Sequence, residues 1–288
     1  MKKLGIVTLL VVSAAFIGHS YAEHQTTEQQ TVVTAPEVKS PWSVKGFLRT
    51  TRTATGKLQD GISNEMFLDV RRSVLEGVVS GLRAGVRVAG SNRFRTDLTR
   101  SGWEKYYTVF DPAVIVGKPL FDIAGFGGVG ELRYYVPVSP DNRLSDRNPS
   151  NGSVRTIVAV EKNIGKWTVG TYNFVQRYAF KSEDNALKES SNAKYRLANE
   201  LSLAYHVTDK VALVTGAGVE KFWMHKPSDN AGELEWSTGV ELQPVSGLTA
   251  GASVFLSAPN QAIAKYLETK ESRLQNTGAR LDLAYSFL

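Results

Sequence analysis

The last ten residues, Ala279 to Leu288, read ARLDLAYSFL. Ala279, Leu281, Leu283, Tyr285 and Phe287 share one face of an extended chain, and Arg280, Asp282 and Ser286 share the other. That period of two predicts a β-strand. Aliphatic residues in mid-face, aromatic ones at its end and ions on its back suit a strand with lipid on one side and water on the other. An unpaired strand edge in hydrocarbon leaves backbone N–H and C=O groups unsatisfied, so such a strand needs neighbours on both edges. A closed barrel supplies them.

Upstream the same alternation recurs. Tyr195, Leu197, Leu201, Leu203 and Tyr205 oppose Arg196, Glu200, Ser202 and His206. Leu234, Trp236, Val240 and Leu242 oppose Glu233, Glu235, Ser237, Glu241 and Gln243. Between strands, two classes of connection alternate. Short ones are expected around Val78 to Gly81, Gly117 to Phe121, Lys162 to Lys166, Thr208 to Lys210 and Pro244 to Gly247. Longer polar ones run roughly from Ala54 to Asn64, Arg93 to Glu104, Pro140 to Gly152, Ser182 to Ala193, Lys226 to Gly232 and Asn260 to Ser272. Short turns on one rim and long loops on the other mark a membrane barrel. The fold class expected is therefore all-β, a transmembrane antiparallel up-and-down barrel of about twelve strands over residues 42–288, with both ends on the short-turn rim. Aromatic residues bunched near strand ends, such as Tyr106 with Tyr107 and Phe222 with Trp223, fit interfacial girdles better than the mid-strand core of a soluble sandwich.

The N-terminus reads as a leader. Lys2 and Lys3 precede an apolar run from Leu4 to Gly18 and then Ser20-Tyr21-Ala22, the order of a secretory signal peptide over residues 1–22. The run falls short of the roughly 20 residues that a spanning helix needs. Residues 23–41, polar with Gln and Thr runs, read as a disordered periplasmic tail. Removal of the leader leaves 32 basic against 28 acidic side chains, too even a balance to indicate nucleic acid. With no cysteine, neither a disulfide framework nor a thiolate metal site is available.

The terminal aromatic strand resembles the closing strand of bacterial outer-membrane β-barrels, although here Phe287 is followed by Leu288. The resemblance is generic and extends over about Trp42 to Leu288. It implies residence in the outer membrane of a Gram-negative bacterium, contact with its lipids and lipopolysaccharide, and handling by the barrel-assembly machinery through the C-terminal strand. Association into homo-oligomers stays open.

Motifs that could carry chemistry are few. Gly125 to Gly130, GFGGVG, has the spacing of a dinucleotide loop, but strand-like ELRYYVPV follows instead of a helix; glycines there give inner-face room or a bend. A lipid-modifying enzyme would need a His and a Ser on one face, and the nearest match is His206-Val207-Thr208. Ser182-Glu183-Asp184-Asn185 and Ser228-Asp229-Asn230 lack calcium-loop spacing and read as solvated loop tips. No cofactor, metal or catalytic residue is expected.

The informative constellation is the inward face. The first seven strands are expected to present Lys45, Arg49, Asp69, Arg71, Arg83, Arg87, Glu131, Arg133, Arg155, Glu161 and Arg177. The last five are expected to present Arg196, Glu200, Glu220, Glu233, Glu235, Glu241, Arg280 and Asp282. A mainly basic wall would thus face a mainly acidic one. In a water-filled lumen the walls would set a transverse field that admits small polar or charged solutes, similar to a general porin. In a closed lumen they would pair across the bore and leave function to the loops. Ile263, Tyr266 and Leu267 have helical spacing in the last loop and offer a lid.

Overall fold

Alternating aliphatic and polar residues build a single sheet in the computed structural model, which describes residues 41–53, 62–91, 104–138, 150–180, 192–229, 231–259 and 277–287. The expected leader, almost all of the expected tail, Ser182 to Asn185 and the Ile263-Tyr266-Leu267 segment lie outside the described residues. Thirteen strands are described: β1 Trp42–Thr53, β2 Ile62–Leu75, β3 Val78–Ser91, β4 Glu104–Val109, β5 Ala113–Ile123, β6 Phe126–Tyr135, β7 Ser150–Ile164, β8 Trp167–Phe180, β9 Ala193–Thr208, β10 Val211–Met224, β11 Ala231–Val245, β12 Leu248–Pro259 and β13 Thr277–Ser286.

Apart from β4 and β5, each strand pairs antiparallel with its neighbour in sequence, and the sheet closes because β13 also pairs with β1. Phe47 stands opposite Ala284 and Arg49 opposite Asp282 across that seam. β4 and β5 both lie along β3, separated at Phe110 to Pro112. Pro112 has no N–H for the ladder, and Phe110 bridges the gap by donating its N–H to the Gly85 carbonyl at 2.9 Å. The two segments occupy one position, so the barrel has the twelve staves expected from the sequence.

Three of the five short turns fall where expected, and two do not. The first hairpin turns at Glu76 and Gly77, ahead of Val78 to Gly81. The fourth stave runs straight through Gly117 to Phe121 and turns at Ala124 and Gly125. Pro119 imitates a turn signal in the sequence, but it sits beside a register shift between Pro119 and Phe121, where a bulge absorbs a residue that cannot donate to the ladder. Ala124 and Gly125 both have positive φ, 55° and 77°, which fits the twist of a two-residue hairpin turn. The GFGGVG stretch is therefore a turn followed by β6. Its outward Gly128 and Gly130 lie beneath Phe121 and Leu120, whose side chains a Cβ at either glycine would approach to 2.5 and 3.0 Å.

The outward residues of the staves are apolar and uncovered. Leu281 is 59% exposed and Met66 54%, and Leu82, Val116, Leu132, Val175, Leu201, Leu213 and Val254 are exposed as well. A soluble protein does not leave a continuous apolar surface of this extent; this band faces hydrocarbon. Aromatic residues flank it. Trp167 packs on Tyr205 at 4.7 Å between ring centres and Tyr285 on Phe287 at 4.7 Å on the turn rim. On the loop side Lys221 lies 5.2 Å from the Trp223 ring. These are the girdles of a spanning barrel.

Candidate functional site

Register places the predicted inward residues with one exception. Lys45, Arg49, Asp69, Arg71, Arg83, Glu131, Arg133, Arg155, Glu161, Arg196, Glu200, Glu220, Glu233, Glu235, Glu241, Arg280 and Asp282 all occupy inward positions. Arg87 occupies an inward register position opposite Glu65; its side chain lies outside the described set. Arg177 does not face the lumen. It stands opposite outward Val154, two residues beyond outward Val175, and is exposed. Its place close to the loop end of β8 lets a long side chain carry its charge to the headgroup layer. Glu65, buried and in register with Arg49, belongs to the same inner face and was not anticipated.

Many of these charges pair sideways along the wall rather than across the bore. Arg49, fully buried, donates from Nε and Nη2 to Asp282 Oδ1 and Oδ2 at 2.7 and 3.0 Å. Arg196 makes the same two-pronged contact with Glu220 at 2.6 and 2.8 Å. Arg280 Nη2 donates to Glu235 at 2.8 Å. Arg71 bridges Glu131 at 2.8 Å and Asp69 at 3.0 Å, Arg133 donates to the other oxygen of Glu131, and Arg83 approaches Asp69 at 3.5 Å. Such charge-assisted, often bidentate contacts hold long side chains in one place.

Aromatic rings back this network. Arg83 lies 4.4 Å from the Phe67 ring, Arg155 and Arg196 lie 4.5 and 5.3 Å from the Phe174 ring, and Arg280 lies 4.9 Å from the Phe255 ring. Each guanidinium is held by a carboxylate or amide in the plane and by a ring on its face. Arg155 completes its set with Gln176 at 2.9 Å, which in turn donates to Ser153 at 2.7 Å. The inward phenylalanines were hidden in the sequence by the expectation that aromatics belong to the girdles.

Opposite this thick layer the wall is thin. Ser202 on β9, Gly216 on β10, Ser237 on β11 and Gly251 with Ser253 on β12 face inward. They line a cavity of about 1100 Å3, including space open to solvent, whose other side is Lys45, Phe47, Phe67, Asp69 and Arg83. The free space therefore lies off-centre, against β9–β12. Glu200, Glu241, Arg280 and Asp282 also line it. Lys45 and Glu241 form no ion pair with any described residue, so their charges act on the cavity itself. The sequence signal for the thin wall was present as small residues at alternate positions, Gly216 and Gly218, Ser237 and Gly239, Gly251 and Ser253.

The His206 and Thr208 pair is not formed. His206 Nε2 lies 2.9 Å from Thr168 Oγ1 on the adjacent strand, and Thr208 Oγ1 accepts from the Lys210 N–H at 3.2 Å within the turn. Ser228 and Asp229 lie in or beside a short 3-10 turn, Pro227–Asp229.

No family model matches the chain. No curated protein matches it either. Similar solved structures include an outer membrane channel from Pseudomonas putida F1, at 12% identity over 88% of this chain and 99% of that one, with a TM-score of 0.59. The NanC porin is similar at 8% identity over 85% of this chain and 99% of that one, with a TM-score of 0.51. At such identities the likeness is one of fold: with its apolar outer band and closed seam, this chain has the closed antiparallel β-barrel architecture of these outer-membrane proteins.

Proposed function

We propose that the protein is a passive outer-membrane channel for small polar or charged solutes, which diffuse along the off-centre path between the small-residue wall and the arginine-aromatic layer. The observation that carries this reading is the cavity bounded by both walls, where glycine and serine on four neighbouring strands leave width that larger side chains would occupy. A barrel of this size sits between those that side chains fill and those that hold a wide aqueous pore, so the size of the wall residues decides. No bond is made or broken. Because the arginines are largely neutralised by lateral carboxylates, the field in the path is set by Lys45 and Glu241 together with the edges of the Arg83 and Arg280 pairs. Conductance of the refolded protein in planar bilayers tests this.

A second reading has its own support. The layer of paired arginines and rings makes β1 to β8 rigid on the inside, and a barrel whose bore is filled would act through its extracellular loops as an interaction or adhesion scaffold. Electrically silent but folded barrels would favour it.

A further inference from the structure

The outer face of a spanning barrel should give hydrocarbon no unpaired polar group. Most polar side chains on this outer face obey that rule by bonding at home. Thr215 donates to the Ser237 carbonyl at 2.9 Å, Thr238 to the Val214 carbonyl at 3.3 Å, and Thr50 to Asn64 at 2.8 Å. Asn173 donates to Thr171 at 2.6 Å and makes a longer contact with the Val158 carbonyl at 3.4 Å. Exposed Thr156 on β7 has no such bond among the described residues, and neither does the larger Asn199. Its side chain has no hydrogen bond to any described residue, and it stands directly opposite Asn173 in the β8–β9 register, midway along both strands.

Within the chain, Asn173 opposite it has turned its amide group to Thr171 and the Val158 carbonyl, and the rest of the setting is apolar or weakly polar. Leu197 and Leu201 flank Asn199 on its own strand, and Leu201 is 51% exposed, so the depth is that of the apolar band rather than a rim. Neither water nor a lipid headgroup is available there, and acyl chains offer no donor or acceptor. Small and weakly polar neighbours, Thr171, Thr215 and Ala217, keep the surface low, and Val219 opposite Asn199 is only 7% exposed although it points outward. Small residues that allow close approach, with a polar side chain among them, are the pattern of association within a bilayer.

We propose that the outer face of β8 and β9 is a self-association surface, where Asn199 and Asn173 hydrogen bond to the same pair in a second copy of the chain. A carboxamide both donates and accepts, so it complements itself. All copies insert in one orientation, so a two-fold axis along the membrane normal sets like residues at equal depth, as an isologous contact requires. The inference rests on the barrel spanning a bilayer and is independent of whether the lumen conducts.

The chain contains no cysteine, so single thiols report proximity without background. The full-length protein is expressed in bacterial outer membranes as Asn199→Cys, and as Met66→Cys, a more exposed lipid-facing position on β2 at the far side of the barrel. Membranes are then oxidised. A disulfide-linked species of twice the mass is expected for Asn199→Cys and not for Met66→Cys. In a second measurement, mass analysis in lipid nanodiscs should give dimers for the unsubstituted protein and monomers for Asn173→Leu with Asn199→Leu, which should keep its heat-modifiable, folded migration. A monomeric unsubstituted protein, equal crosslinking at both positions, or an adduct whose mass is that of another protein would overturn the proposal.

Discussion

Arg71 reaches Glu131 at 2.8 Å from three staves away, across a floor made by Gly81 and Gly117. Gly81 lies opposite Arg71 and beside β5, and a Cβ there would fall 2.8 Å from Arg71 Cγ and 2.5 Å from the Val70 carbonyl. Gly117 lies opposite Glu131, where a Cβ would meet Glu131 Cγ at 3.6 Å. The missing side chains let the longest bridge of the network lie flat on the wall. Gly81→Ala is expected to displace Arg71 and lower stability by about 1–3 kcal/mol, the usual cost of overpacking, read as a lower urea midpoint for unfolding from lipid vesicles. Gly117→Ala should cost less.

Removal of the carboxylate should cost more than removal of the arginine that crosses the floor. Glu131 is 5% exposed and serves both Arg71 and Arg133, and Arg133 is itself buried. Glu131→Gln removes one acid from two guanidinium groups at once while Arg71 keeps Asp69, so a loss of roughly 3 kcal/mol is expected, the lower end for a broken buried pair. In Arg71→Met, Glu131 keeps Arg133, so the loss should be clearly smaller. Vesicle unfolding curves of the two variants, compared at one temperature, check the order.

The turn at Ala124 and Gly125 offers a gain. Ala124 holds a φ of 55°, a conformation that costs a residue with a Cβ about 1–2 kcal/mol. Ala124→Gly relieves that strain against some added freedom of the unfolded chain, so a net stabilisation of up to about 1 kcal/mol is expected. A lower urea midpoint would show that the strain is absorbed elsewhere in the hairpin.

The barrel itself was legible because alternation survives in every strand that has lipid outside, and twelve staves followed from counting turns. Two turns were misplaced where a glycine or proline signal served another purpose. Gly81 is the floor under Arg71, and Pro119 sits at a bulge. The inward charges followed from parity, and Arg177 was misread because charge was weighed above its place beside inward Gln176. Which acid each arginine would meet was not legible, since lateral pairing depends on register around the whole sheet, and register depends on loops whose lengths do not fix stagger. Asn199 could have been noticed from sequence alone as a polar residue on the apolar side of the eighth stave.

Selectivity should follow the charges left facing the path. Glu241 and Lys45 line the cavity without ion-pair partners among the described residues, so their substitution changes the field without dismantling the network. Glu241→Lys should move the reversal potential under a salt gradient towards anions, and Lys45→Glu towards cations. Unchanged potentials in both would place the conducting path elsewhere. Charge reversal at Arg83 with Arg87 should shift selectivity in the cation direction as well, if the variant folds.

Width should follow the thin wall. A Cβ added at Gly251 would meet only ordinary contacts, Asp282 Cβ at 3.7 Å and the Val240 carbonyl at 3.8 Å, so Gly251→Leu should fold and project into the cavity. Its conductance is expected to fall severalfold, whereas Leu68→Phe on the lipid face should leave conductance unchanged.

The most direct measurement is single-channel recording of the refolded mature protein in planar bilayers, with a salt gradient across them. Stable, uniform current steps that shrink in Gly251→Leu are what an off-centre lumen path predicts. Silence from barrels that are folded by heat-modifiable migration and by circular dichroism would contradict the channel and turn attention to the loops.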